Sequence, residues 1–244
     1  CNAWMGELGQ EPNHKLFVEH LLDIFKEVKR ILKDGGSCYV NLGDSYAGSG
    51  QGEGWKNPSG KQATNRGTIR EEGFKSVTKN VGIKNKSLIG IPDRFKIAMI
   101  DDDWICRNDI VWYKRNAMPD STKDRFTVDY ERIFFFTKSG KYYFDQQKEP
   151  CINGDPNPPR GSKGTKTPNS GRRLKQDDLG KNNYTGFNSR YIPKTERNVR
   201  SVWDIPVQPF REAHFATFPP KLIETPIKAS CPTDGIVLDI FFGS

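Results

Sequence analysis

Several absences narrow what this 244-residue chain is. No apolar run comes near the roughly 20 residues that a membrane-spanning helix requires. The five cysteines (Cys1, Cys38, Cys106, Cys151 and Cys231) contain no Cys-x-x-Cys pair. That spacing suggests neither a zinc ribbon nor a disulfide framework, and points to a reduced, cytoplasmic setting. The three histidines are His14, His20 and His214. His14 and His20 fall off the i, i+4 step of a helical metal pair, so no metal site is expected. No Gly-x-Gly-x-x-Gly follows a strand pattern, which weighs against an oxidoreductase built on a dinucleotide. The chain opens on Cys1-Asn-Ala-Trp, without an initiator methionine or a signal peptide, and ends at Ser244 inside a glycine turn. A piece of a longer protein is the expectation.

Charge, by contrast, is abundant and unevenly placed. The net charge is +8. Residues 156–200 hold eleven Lys/Arg against three Asp/Glu, so this stretch carries the whole excess. Its basic side chains include Arg160, Lys163, Lys166, Arg172, Arg173, Lys175 and Arg190, with Tyr184, Phe187 and Tyr191 between them. Basic residues interleaved with aromatics suit contact with a nucleic-acid backbone and its bases. A solvated surface insert is the simpler alternative.

Periodicity predicts the elements. Leu21, Ile24, Phe25, Val28, Ile31 and Leu32 recur at helical steps within 15–33, and Asp34-Gly35-Gly36 supplies a helix stop. Residues 37–42 follow as a strand. Residues 47–86, rich in Gly, Ser, Asn, Lys and Thr, have no period and predict a long loop. Pro92 opens a short helix with Phe95, Ile97, Ala98, Met99 and Ile100 as its apolar content. Asp101, Asp102 and Asp103 end it as a solvated helix end; a metal site is the weaker alternative, because consecutive acids point in different directions. Strands are predicted over 104–113 and 130–137, with 141–145 returning as the second arm of a hairpin. A short segment at 201–205 and a helix from Pro219 come next, with Leu222, Ile223 and Ile227 inward and Pro226 shortening or kinking the helix. Ile236, Val237, Leu238 and Ile240 then predict a buried parallel strand with Asp239 near its end. Helix, turn and strand in succession indicate an α/β sheet protein, which binds ligands at the carboxyl ends of its strands.

Two C-terminal segments carry a specific resemblance. Phe215-Ala216-Thr217-Phe218-Pro219-Pro220, followed by Leu238-Asp239-Ile240-Phe241-Phe242-Gly243-Ser244, is similar to the cofactor block of the DNA amino-methyltransferases. Ile240 departs from the proline usual there. Around Asn41-Leu42-Gly43-Asp44-Ser45-Tyr46, Ile110-Val111-Trp112-Tyr113-Lys114-Arg115-Asn116 and residues 130–145, the chain again resembles that family. The similarity covers residues 6–46, 88–145 and 200–244.

The resemblance implies a Rossmann-like sheet with helices on both faces and a basic loop-rich insert. It implies a domain whose catalytic side spans 1–145, a target-recognition insert over 146–200, and a cofactor side over 201–244. The order resembles the permuted subgroup, with the catalytic motif ahead of the cofactor motif. S-adenosylmethionine is the implied cofactor, at Phe218, Pro219, Asp239, Phe241, Gly243 and Ser244. The implied pocket for an extruded base is lined by Asn41, Asp44, Trp112, Lys114, Asn116 and Pro119. For Asn41 and Asp44, turn chemistry at a strand end is an equal alternative, and for Trp112 core packing is. Double-stranded DNA is the implied partner, in a bacterial or phage-encoded protein, and the resemblance admits an associated restriction enzyme. Cytosine N4 is slightly favoured over adenine N6 as the acceptor. The family's Ser/Asp-Pro-Pro-Tyr occurs nowhere in the chain, so no catalytic residue is assigned and little activity is expected of residues 1–244 alone. A non-catalytic DNA-binding relative is the alternative.

Overall fold

The computed structural model describes residues 6–48, 82–151, 195–208 and 217–241. It divides into two units, residues 1–145 with 200–244, and residues 146–199.

The first unit begins with α1 (His14–Ile31). Asn13 starts it, its side chain accepting hydrogen bonds from the backbone N–H groups of Lys15 and Leu16, both at 3.0 Å. Val18, Leu21 and Phe25 form its buried stripe. The helix ends at Ile31, where Leu32 turns extended, two residues before the predicted boundary. The glycines that were expected to cap it close the next turn instead, with Gly36 N–H donating to Lys33 O at 2.8 Å. A Cβ on Gly36 would come within 2.7 Å of the Leu32 side chain, which would have to shift to admit it.

β1 (Ser37–Leu42) follows, then α2 (Ile91–Asp101), β2 (Ile105–Tyr113), β3 (Tyr130–Thr137), β6 (Val202–Asp204) and α3 (Pro220–Ser230). The sheet order is β1-β3-β2-β6, a mixed sheet. β3 pairs antiparallel with β1 and with β2, and β2 pairs parallel with β6. Hence β1, β2 and β6 all point their carboxyl ends to one edge.

β3 explains the core. Ile133, Phe134, Phe135 and Phe136 are all at most 3 % exposed, as a strand covered on both faces requires. Phe134 and Phe136 face α1 and α2 and pack with Phe25, Val40, Phe95, Met99 and Trp104. Ile133 and Phe135 face the other way, toward Ile110, Trp112, Ile205 and Leu222 of α3. Helices therefore cover both faces. Phe25 and Phe95 meet edge to face at 5.2 Å, and Phe95 and Phe136 at 6.4 Å, geometries each worth about 0.5–1.5 kcal/mol beyond burial.

Three expectations are corrected. Residues 141–145 form no second hairpin arm, because β1 and β2 already occupy both edges of β3. They hold on by rings and backbone instead. Tyr142 and Phe144 pack on Phe135, Tyr143 N–H donates to Gly35 O at 3.1 Å, and Asp145 N–H to Ala229 O at 2.7 Å. Residues 236–240 form no strand, and Ile236, Val237 and Leu238 are 85 %, 59 % and 61 % exposed, since no described strand pairs with them. α3 runs through Pro226, and its buried face is Leu222, Pro226 and Ala229, not Ile223 and Ile227. In α2, Phe95 and Met99 are buried while Ile97 and Ile100 are exposed, because only one side of the helix meets the sheet.

The second unit contains a two-stranded ladder, β4 (Lys148–Pro150) against β5 (Glu196–Asn198), antiparallel. Arg197 Nε donates to Glu149 Oε1 at 2.7 Å across it. Of the loop predicted over 47–86, residues 49–81 lie outside the described residues, as do residues 152–194 of the basic insert expected over 146–200, with Arg160, Lys163, Lys166, Arg172, Arg173, Lys175 and Arg190.

Candidate functional site at the carboxyl edge of the sheet

Alternation along the strands decides which side chains share this edge. Asn41, Trp112, Glu131 and Lys114 all fall on the face covered by α3. The N-terminal half of α3 sits over the same part of the sheet, since Leu222 packs with Trp112 and Ile205. Its last residue, Ser230, instead bonds Tyr39 Oη at 2.7 Å, farther back on β1. Phe218 and Pro219, which lead into α3, are thus brought toward the edge that carries Asn41 and Trp112.

Most of the expected pocket residues have structural partners. Trp112 is 3 % exposed, and its Nε1 donates to Ile205 O at 2.7 Å. Lys114 forms an ion pair with Glu131, and its ammonium lies 4.4 Å from the Trp112 ring centre. Asn116 uses both ends of its amide on one residue: Nδ2 donates to Val207 O at 2.9 Å, and Val207 N–H donates to Oδ1 at 2.8 Å. This pins the chain after β6 to the loop after β2.

Asp44 reaches 46 residues along the chain to the start of α2. Its carboxylate accepts from Gly90 N–H at 3.0 Å and Ile91 N–H at 3.1 Å. Gly90, at φ 77°, occupies the N-cap with no side chain to offer, so Asp44 caps the helix from a distance and places a negative charge at its positive end. Beside it, Ala47 N–H donates to Ser87 O at 2.8 Å and Ile89 N–H to Ser45 O at 2.9 Å, tying the turn after β1 to the approach to α2.

Asn41 is less committed. It is exposed, and its Nδ2 donates to Arg132 O at 3.1 Å. Pro119 is exposed in the loop after β2. Among the cofactor residues, Pro219 is fully buried and Phe218 is 38 % exposed. Phe241 is 55 % exposed, and its N–H donates to Asp239 Oδ1 at 3.0 Å in a tight turn. Gly243 and Ser244 lie outside the described residues. The residue types fit S-adenosylmethionine: Asp239 is an exposed acceptor for hydroxyls, and the open rings of Phe218 and Phe241 suit a purine face and a sulfonium cation.

Sequence reasoning missed the charged network on the opposite face. Asp109 on β2 pairs with Arg132 on β3 and with Lys96 on α2, the latter at 3.0 Å, while Asp93 also meets Lys96 at 3.2 Å. Burial pushes the Asp109 carboxyl up, but the hydrogen bonds from Arg132 and Lys96 outweigh it and hold the group below the usual carboxylate value. Arg115 was also missed; it forks onto Asp204 at 2.8 and 2.5 Å, joining the carboxyl ends of β2 and β6. The signal was present as charged residues in and beside strands, but the partners are far apart in sequence.

Among the described residues no His/Cys/Asp/Glu group could hold a metal ion, and no helix is long and apolar enough to cross a membrane.

An α/β protein with covered sheet faces and a polar cluster at the strands' carboxyl ends defines the class. The chain belongs to the DNA methylase family, whose model matches residues 3–244. It is 37 % identical over 240 residues to the type II methyltransferase M.XycI of Xanthomonas campestris pv. cyanopsidis. It is also 37 % identical over 238 residues to the type II methyltransferase M.Cfr9I of Citrobacter freundii. The alignments cover 98 % of this chain and 64 % of each of those relatives. M.SmaI of Serratia marcescens, another type II methyltransferase, is 34 % identical over 98 % of this chain and 67 % of its own length.

Proposed function

We propose that this chain forms the larger part of a DNA methyltransferase that transfers a methyl group to an exocyclic amino group of a base. Cytosine N4 is slightly favoured over adenine N6. What supports the reading is that Asn41, Trp112 and Lys114 fall on the sheet face covered by α3, toward the carboxyl ends of β1 and β2, in a member of the DNA methylase family.

S-adenosylmethionine, when bound, supplies an electrophilic methyl group on a sulfonium. Phe218, Pro219, Asp239, Phe241, Gly243 and Ser244 are proposed to hold it. An exocyclic amine is a poor nucleophile because its lone pair is delocalised into the ring, so the protein contributes position and electrostatics. Asn41 has an amide oxygen with which to accept a hydrogen bond from that amine, and Pro119 lines the approach. Asp44, Trp112, Lys114 and Asn116 act through the backbone and rings that they fix. The Rossmann-like pattern of the family agrees with the strand-end placement of these residues. Residues 146–200 are proposed as the basic target-recognition insert on double-stranded DNA, and an associated restriction enzyme fits the type II names of the relatives.

The test uses the gene expressed to its natural ends. Its product is incubated with unmethylated DNA and S-adenosylmethionine, and the digested nucleosides are weighed. N4-methylcytosine or N6-methyladenine supports the reading and settles the base. No modified nucleoside, with cofactor binding verified separately, overturns it in favour of a non-catalytic DNA-binding relative.

A further inference from the structure

The loop between β2 and β3 displays two large apolar side chains to solvent: Phe126 is 96 % exposed and Met118 is 88 % exposed. Single exposed apolar residues are ordinary on protein surfaces. Here, however, the loop holding them is fastened down. Arg125, next to Phe126, pairs with Asp120 at 2.6 Å and lies 4.3 Å from the Tyr46 ring centre. Asp120 also accepts from Thr122 N–H at 2.9 Å and from Thr122 Oγ1 at 2.6 Å. Lys86 pairs with Asp124 at 2.6 Å. Lys114 N–H donates to Asp129 O at 2.7 Å, closing the loop at its base. The loop is therefore anchored on either side of Phe126, and the ring between stands 96 % exposed.

The loop's place matters as much as its exposure. It leaves the carboxyl end of β2 and enters β3 at the same edge, and Arg125 and Lys86 join it to the turn after β1. That is the edge at which the base pocket is proposed, and the present inference rests on that reading. A base inside a duplex cannot reach such an edge without leaving the stack, and the gap costs stacking energy. Proteins that unstack DNA insert apolar wedges, among them Phe and Met, between base steps. Lys123, exposed on the same loop, supplies positive charge for a phosphate backbone, whereas Arg115 and Arg125 are already held by Asp204 and Asp120.

We propose that Phe126 is the wedge: its ring enters the duplex beside the target nucleotide and fills the stack that the extruded base leaves. It is a positioning residue and not a catalytic one. Met118, in the same loop, widens the apolar contact.

The test is Phe126→Ala in the full-length gene product, with labelled methyl transfer to a duplex carrying the site mapped by sequencing of methylated plasmid. A second duplex carries a mismatch opposite the target base, which is already partly unstacked. The expected result is a loss of about tenfold or more on the matched duplex, the scale of one stacked aromatic, with most of the loss restored by the mismatch. Phe126→Leu retains more activity than Phe126→Ala, and the melting temperature is unchanged. Equal rates for Phe126→Ala and the unsubstituted protein overturn the proposal, as does an equal loss on both duplexes. A lowered melting temperature without mismatch rescue also overturns it and puts Phe126 in a protein contact. No transfer by the unsubstituted protein overturns both this reading and the function it rests on, whereas transfer unaffected by the substitution overturns this one alone.

Discussion

Residues 133–136 and 236–240 are similarly apolar in sequence and opposite in structure. Ile133, Phe134, Phe135 and Phe136 are at most 3 % exposed, whereas Ile236, Val237, Leu238 and Ile240 are 85, 59, 61 and 38 % exposed. The first run has a hydrogen-bonded strand on each side and a helical layer on each face. The second has no ladder partner among the described residues. Hydrophobicity therefore marks a segment that can be buried, and neighbours decide whether it is. Substitutions in the two runs should differ accordingly.

The largest effect is expected at Phe134. It packs with Phe95 and Phe136, and Lys96 and Arg132 both lie 5.6 Å from its ring centre. Phe134→Ala should cost about 3–5 kcal/mol, read as a fall in the urea midpoint at unchanged slope. A cost below about 1 kcal/mol would mean that this core collapses around the cavity and that the contrast between the two runs is overstated.

Next comes the charged network that fastens α2 to the same strand. Asp109→Asn removes one of the two carboxylates that Arg132 and Lys96 share, Asp93 being the other, and about 1–2 kcal/mol is expected, below the full value for charge-assisted bonds because the groups are partly exposed. The sign with pH is fixed by the lowered Asp109 value. Its contribution is fully present above the ordinary carboxylate value of 3.8 and is lost as pH falls through the lower folded value. The acid limb of an unfolding titration should therefore be steeper for the unsubstituted chain than for Asp109→Asn. Identical limbs would remove Asp109 from acid stability.

These outcomes also bear on what the sequence could show. β1 and β3 occupy the very ranges that alternation and aromatic content mark, because their signals are local. The supposed hairpin arm at 141–145 failed for a non-local reason, the filled edges of β3. The candidate site divides in the same way. Asn41, Asp44, Trp112, Lys114 and Asn116 stand out as residues at strand ends, but their bonds do not. Asp44 caps a helix 46 residues on, and Asn116 holds a backbone 91 residues away. A carboxylate and an amide have many uses, and only the folded chain shows which donors come within reach.

Asp44 offers the third test, of moderate size. Asp44→Ala removes the side chain that caps α2, so about 1–2 kcal/mol is expected, the cost of a lost N-cap. Faster hydrogen exchange at Gly90 and Ile91 should accompany it. Unchanged exchange would show that solvent caps the helix equally well. Burial pushes the Cys38 thiol, on the α1 and α2 side of the sheet, up to about 12. It should resist alkylation at pH 8 until Phe134→Ala loosens that core, which makes thiol labelling a second reading of the same packing.

The smallest effect is expected at Ile236, and it bears most directly on the contrast. An 85 % exposed side chain has little surface to lose, so Ile236→Ser should change stability by no more than about 0.5 kcal/mol in residues 1–244. The same substitution in the gene product extended to its natural ends then separates two cases. An effect still near zero means that the run is exposed in the working protein and needs no neighbour. A cost of about 2 kcal/mol or more would mean that added chain buries the isoleucine, at the scale expected for covering an aliphatic side chain. The apolar pattern of residues 236–240 would then signify a strand after all, completed by a partner that the described residues do not provide.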